Sequence, residues 1–185
     1  MIFLILGALG VILISQAPKA IESVEGMILK ESDNWTRFDS LFQKYGAANN
    51  VDWKILKAIA MNESSLGTVK SVALGLVNPS DIEGSKSQDG KSWGLMQVTV
   101  TTAKDLDSGA SAERLNDPEY SVKLAAMYIG RLQKRFNMLE TRWLEWVIKS
   151  YNQGPGNTDK ERRGAEGYAD EYWDRFQRNY ERASA

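Results

Sequence analysis

The chain has 185 residues, enough for one domain with a sizeable core, and its 43% hydrophobic and 25% charged content is ordinary for a globular protein. Its net charge of −1 supplies no electrostatic pull toward nucleic acid, which is not expected as a partner. There is no His and no Cys, which excludes Ser-His-Asp catalysis, His-ligated zinc hydrolases, thiol nucleophiles and thiolate metal sites. Neither a metal nor a cofactor is called for. Catalysis must fall to Asp, Glu, Lys, Tyr, Ser or the backbone, and carboxylate chemistry on glycosidic bonds fits that inventory.

Met1 to Ile14 is an unbroken apolar run, followed by Ser15-Gln16-Ala17-Pro18-Lys19. No basic segment precedes it, and it falls short of the roughly 20 residues of a spanning helix unless Ser15 to Ala17 are counted. The preferred reading of 1–17 is a short uncleaved membrane anchor. A cleaved signal and a buried helix are the alternatives. Residues 18–34 form a polar connector, and the catalytic domain is expected over 35–185.

Trp35, Phe38, Leu41, Phe42 and Tyr45 recur at helical spacing, with Gly46 as the expected stop. Asp52 is placed to cap a second helix whose apolar stripe is Trp53, Leu56, Ile59 and Ala60. Three residues beyond Ala60 comes Glu63, so a carboxylate continues the buried face at the helix's C-terminal end. Poor solvation and the negative helix pole both push its pKa upward, making it a candidate general acid. Ser64 and Ser65 either hydrogen-bond Glu63 or a substrate, or simply cap the helix.

Residues 68–91 read as a long loop, with Val72–Val77 as a short strand and Asp81 and Asp89 as turn residues or a second catalytic carboxylate. A short helix is expected from about Thr99 to Leu106. Asn116-Asp117-Pro118-Glu119 is a strong helix start. Trp143, Trp146, Val147 and Ile148 mark a further buried helix ending at Ser150–Gly156. The last helix is expected from Glu166 or Gly167 through Tyr180, with Tyr168, Tyr172, Trp173 and Phe176 available for packing. Strand signal is slight, so the fold class is mostly α with at most a small β element, preceded by the N-terminal hydrophobic helix.

Glu63-Ser64-Ser65, Gly94-Leu95-Met96-Gln97, Ser150-Tyr151-Asn152-Gln153-Gly154 and Tyr168, in this order, resemble lytic transglycosylases of the soluble-transglycosylase (SLT) type. Leu115–Tyr120 with Tyr128-Ile129 adds to that likeness, which covers about residues 35–180. The resemblance implies a goose-lysozyme-like helical domain acting on peptidoglycan glycan strands. It implies that Glu63 is acid and then base, cleaving between N-acetylmuramic acid and N-acetylglucosamine and leaving a 1,6-anhydro sugar. It also implies that Met96 is an apolar platform, that Gln97 binds acetamido groups, and that Tyr151, Asn152 and Tyr168 face the cleft.

The chain departs from the family in the expansion of residues 68–91, in Lys91-Ser92, and in Ala125 where Gly is common. Goose-type lysozymes carry an Asp before the Gly-Leu-Met-Gln element and another shortly after it. Asp89 sits near the first place and Thr99 occupies the second, so a hydrolase using Glu63 with Asp89 is the alternative. A non-catalytic glycan-binding component is the reading from another class. The implied setting is membrane-associated in the periplasm, either as a virion-associated wall-opener of a bacterial virus or within secretion or conjugation machinery.

Overall fold

The computed structural model describes residues 34–67 and 91–184. The apolar run 1–17, the connector, the Val72–Val77 strand, Asp81 and Asp89 therefore lie outside the described residues. The described elements are α1 (Asn34–Arg37), α2 (Asp39–Asn49), α3 (Trp53–Ser64), β1 (Ser92–Trp93), β2 (Val98–Thr99), α4 (Val100–Leu106), α5 (Ala112–Leu115), α6 (Pro118–Arg135), α7 (Trp143–Gln153), α8 (Pro155–Arg162) and α9 (Asp170–Ser184). From Thr36 onward they belong to one compact unit. The mostly helical expectation holds, and the small β element is a single antiparallel pair. No helix among the described residues is long and apolar enough to cross a membrane.

Helix α3 is the central element. Asp52 accepts from the Lys54 N–H at 2.9 Å and fixes its start. Every residue from Ile55 to Met61 is buried, including Lys57, whose ammonium reaches Asp39 of α2 at 2.9 Å. Helix α2 packs on one side of it and α9 on another. Asn62 secures α9: its amide donates to the Tyr172 carbonyl at 3.1 Å and its oxygen accepts from Asn179 at 2.7 Å. At its far end α3 is stopped by three consecutive left-handed residues, Ser65 (φ 52), Leu66 (φ 58) and Gly67 (φ 70). The N–H of Leu66 bonds back to the Ala60 carbonyl at 3.1 Å, a Schellman-type closure built without glycine at its first left-handed position.

Helix boundaries differ from expectation where tertiary contacts intervene. Gly46 does not stop α2, which continues to Asn49 and ends at left-handed Asn50. Gly46 is required instead by close approach, since a Cβ there would lie 2.7 Å from the Val51 carbonyl. Helix α6 starts as expected, with Asp117 accepting from the Tyr120 N–H at 2.7 Å and Pro118 in the first turn. Helix α8 was not expected because its polar sequence has only Thr158 buried. Helix α9 begins at Asp170, later than the Glu166 or Gly167 expected.

Lys149 of α7 ties these last elements together. Its side chain is 1% exposed and contacts Glu161 at 2.6 Å, Glu145 at 3.1 Å and Asp170. Burial alone would lower its pKa, but the three carboxylates outweigh burial and raise it, so the cation persists. The ion pairs join α7 to α8 and to the first residue of α9, two positions before Tyr172.

The β-hairpin turn is Gly94–Gln97, and it is unusual in being buried: Leu95 and Met96 are completely inaccessible. Positive φ at Gly94 (75) and Gln97 (48) closes it, with the Gln97 N–H donating to the Gly94 carbonyl at 3.1 Å. Three further backbone groups are met by hydroxyls from three helices. Ser64 donates to the Leu95 carbonyl at 2.7 Å, Tyr151 donates to the Met96 carbonyl at 2.7 Å, and the Met96 N–H donates to Ser121 at 3.1 Å. Gly94 also abuts α5, where a Cβ would fall 1.9 Å from the Leu115 carbonyl. Gly94→Ala is therefore expected to lose about 3 kcal/mol from combined clash and left-handed strain. Urea unfolding at unchanged m-value measures this directly.

Candidate active site

Glu63 stands on the last turn of α3, where the helix runs out of apolar neighbours and the chain turns left-handed. Part of the residue opens onto a cleft of ≈ 110 Å³, while its carboxyl is packed among protein atoms. Burial is the dominant influence and pushes its pKa from 4.5 up to about 7. Two smaller effects oppose it: the Tyr172 hydroxyl donates to Oε1 at 2.6 Å, and the Arg175 charge lies on the same helix. A carboxyl poised in this way can give up a proton and take one back near neutral pH.

The cleft is lined by Glu63, Ser92, Gln97, Val98, Thr99 and Thr102, together with Tyr128, Tyr151 and Asn152. Among the described residues that line it, Glu63 is the sole carboxylate. Thr99 is committed to capping α4, accepting from the Thr102 N–H at 3.1 Å and sharing a hydroxyl contact with Thr102 at 2.9 Å. Tyr151 meets Tyr128 ring to ring, with centroids 5.7 Å apart. Burial pushes the Tyr151 phenol well up, so it remains a donor to the Met96 carbonyl.

The three sequence segments do converge. The segment holding Glu63, the Gly94–Gln97 turn and the Tyr151-Asn152 pair meet at this cleft, and the Ser64 and Tyr151 hydroxyls are what join them. A family profile described as "Transglycosylase SLT domain" matches residues 40–173. The chain belongs to that family.

Similar proteins agree. Membrane-bound lytic murein transglycosylase F of Serratia proteamaculans is 32% identical over 122 residues, covering 65% of this chain and 21% of that protein. Peptidoglycan transglycosylase gp16 of Escherichia phage T7 is 32% identical over 123 residues, covering 64% of this chain and 8% of that protein. An inactive mutant of lytic transglycosylase Slt from Pseudomonas aeruginosa superimposes with a TM-score of 0.54 at 18% identity, over 80% of this chain and 22% of that one. That last likeness shows the shared fold. The chain thus spans only a minor part of the length of each of these relatives.

Within this SLT domain several expected site residues take other places. Ser64 faces the protein, donating to Leu95 and accepting from the Gly67 N–H at 3.0 Å. Ser65 is the left-handed residue ending α3. The Met96 side chain is fully buried, so it is part of the core and not an apolar platform for substrate. Gln97 and Asn152 do line the cleft, although the Gln97 amide also donates to the Gly94 carbonyl at 2.9 Å.

Tyr168 is 77% exposed, its N–H donates to the Gln153 side-chain oxygen at 3.0 Å, and it is not among the described residues lining the cleft. The tyrosine that reaches Glu63 is Tyr172, expected only as packing. Its signal was present in the spacing. Tyr172 and Phe176 share a helical face with Asn179, and that face must lie against α3, which ends in Glu63. Tyr128 was read only as part of a family pair, and Ser92 and Thr102 carried no signal by themselves.

The raised pKa of Glu63 links protonation to folding. Proton uptake favours the folded chain, so this stabilisation is complete below about 4.5 and is lost as pH rises through about 7. Glu63→Gln keeps an acceptor for Tyr172 and never ionises. It is expected to be more stable than the native protein by about 3 kcal/mol near pH 8 and equal to it near pH 4, as measured by thermal or urea unfolding.

Proposed function

We propose that this chain is a peptidoglycan lytic transglycosylase that cleaves the β-1,4 bond between N-acetylmuramic acid and N-acetylglucosamine. The observation that carries this reading is Glu63, the sole carboxylate among the described residues lining the cleft, held near neutral pKa by burial with a tyrosine hydroxyl on Oε1. Family membership and the relatives' names support the substrate class.

In the proposed reaction the protonated Glu63 gives its proton to the glycosidic oxygen as the C1–O bond breaks, releasing the N-acetylglucosamine side with a free hydroxyl. The muramoyl C6 hydroxyl then attacks C1, and the Glu63 carboxylate takes the C6 hydroxyl proton. The product is a 1,6-anhydro sugar, no water is consumed, and Glu63 returns protonated for the next cycle. One residue changing role suits a pKa of about 7, because both protonation states are accessible without a large driving-force penalty. A hydrolytic route normally requires a second carboxylate as base or nucleophile. The other described residues lining the cleft include hydroxyls but no carboxylate, with Thr99 engaged as a helix cap. Tyr172 stabilises the ionised form after proton donation, since its hydrogen bond favours the carboxylate.

Digestion of purified sacculi, followed by mass spectrometry of the soluble muropeptides, tests the reaction. Anhydro-muropeptides are expected, and Glu63→Gln is expected to release none. Products ending in reducing muramic acid, without anhydro-muropeptides, would overturn the transglycosylase in favour of the hydrolase, and loss of activity in a folded Asp89→Asn would then assign Asp89 as its second carboxylate. Folded protein releasing nothing would leave a glycan-binding component.

The setting we propose is local wall opening in the envelope, with the apolar 1–17 segment associating the enzyme with a membrane. The apolar sequence of that segment supports it, as do relatives that include a membrane-bound lytic murein transglycosylase and a phage peptidoglycan transglycosylase. The phage setting predicts this chain among the proteins of purified virions. Its recovery solely from the host envelope fraction would place it with secretion or conjugation machinery.

A further inference from the structure

The hydroxyl that reaches Glu63 stands where a helix is least secure. Tyr172 is in the first turn of α9, and first turns fray because their N–H groups lack partners within the helix. What meets that turn is Asn62, the residue before Glu63 at the same end of α3. Its amide nitrogen donates to the Tyr172 carbonyl at 3.1 Å, and its oxygen accepts from the Asn179 amide at 2.7 Å. Tyr172 and Asn179 lie about two turns apart on one face of α9, and both are buried. One side chain of α3 therefore holds α9 at two points along its axis.

Between those points the face is apolar, with Phe176 only 1% exposed. Apolar burial is non-directional and would tolerate a rotated or shifted α9. Hydrogen bonds weaken steeply away from their preferred distance and angle, so the Asn62 amide selects one rotation and one height for the helix. The same helix brings the Arg175 guanidinium over the Tyr172 ring, 5.8 Å from its centroid. Both groups favour the Glu63 carboxylate, Tyr172 the more strongly. Helix α7 presents Tyr151 and α6 presents Tyr128, phenols that burial keeps protonated. The hairpin side of the cleft brings Ser92, Gln97 and Thr99, none of which ionises. Asp39 of α2 is paired with Lys57 of α3 at 2.9 Å, more than a turn before Glu63.

We infer that Asn62 is a positioning residue for the acid, holding α9 so that the Tyr172 hydroxyl stays on Oε1 of Glu63. This rests on the proposed role of Glu63 as acid and then base. Asn62 touches no reacting atom and acts through Tyr172. Releasing α9 withdraws the hydrogen bond that stabilises the carboxylate, so Glu63 then keeps its proton to higher pH. Proton donation survives that change, while the later step, which needs the carboxylate, is displaced upward in pH.

The readout is the titration of the Glu63 carboxyl, followed by carbon NMR on the full chain and assigned by the signal lost in Glu63→Gln. Asn62→Leu keeps the volume and removes both hydrogen bonds, and Asn179→Leu removes one of them with less risk to folding. Asn62→Leu is expected to raise the midpoint from about 7 by about one pH unit, with the alkaline limb of kcat/KM following it. Asn179→Leu is expected to raise it by less, and Asn62→Gln, which retains an amide, to recover part of the difference. Tyr180→Phe removes a different hydrogen bond holding α9, to Asp52 at 2.8 Å, and is expected to lower stability without moving the midpoint. In a Tyr172→Phe background, most of the effect of Asn62→Leu is expected to vanish. An unmoved midpoint in folded Asn62→Leu, or in Asn179→Leu where Asn62→Leu does not fold, would overturn the inference. So would an equal shift in Tyr180→Phe, or an undiminished one in the Tyr172→Phe background. Sacculus digestion separates the two proposals. A shifted midpoint in a chain that releases no fragments keeps Asn62 as the residue that places Tyr172 and removes the catalytic reading. An unmoved midpoint with release of anhydro-muropeptides does the reverse.

Discussion

The buried turn at Gly94–Gln97 is the constraint on which the rest of the structure depends. A turn enclosed by helices would leave backbone donors and acceptors without water, and each such group costs about 1–3 kcal/mol if unpaired. Here three of these groups are answered by Ser64 of α3, Ser121 of α6 and Tyr151 of α7. Satisfying the turn therefore fixes three helices relative to one another. The same three helices carry Glu63, Tyr128 and the Tyr151-Asn152 pair, so the geometry of the cleft is a by-product of burying one loop.

Glu63 balances opposed influences. Burial disfavours its charged form, while Tyr172 and Arg175, both from α9, favour it. The net result near neutrality depends on α9 lying where it does, which in turn rests on Asn62 bridging Tyr172 and Asn179. The Lys149 ion cluster holds the beginning of that helix through Asp170. Electrostatic tuning of the carboxyl is thus distributed over residues far apart in the chain. The left-handed Ser65 and Leu66 concentrate backbone strain directly after Glu63.

How much of this could be read from the chain varied with the kind of information required. Helix α3 was legible because Asp52, the Trp53-Leu56-Ile59 stripe and Glu63 are all local signals. Asp117-Pro118 announced α6 for the same reason. Gly46 misled, since a glycine needed for close packing against Val51 carries the same letter as one that ends a helix. Helix α8 was hidden because its stability comes from contacts with α7 and from the Lys149–Glu161 pair, with almost no apolar stripe of its own.

Sequence alone determined the candidate acid, the restricted chemistry imposed by the missing His and Cys, and the family. These are matters of residue type, short spacing and segment order, and they need no coordinates. Tertiary structure decided which tyrosine attends Glu63, selecting buried Tyr172 over exposed Tyr168, because two tyrosines four residues apart are distinguished only by what lies across from them. It also decided that Met96 is core and Ser64 a brace. Both outcomes follow from burying the turn, which turns its side chains inward and demands hydroxyls for its backbone.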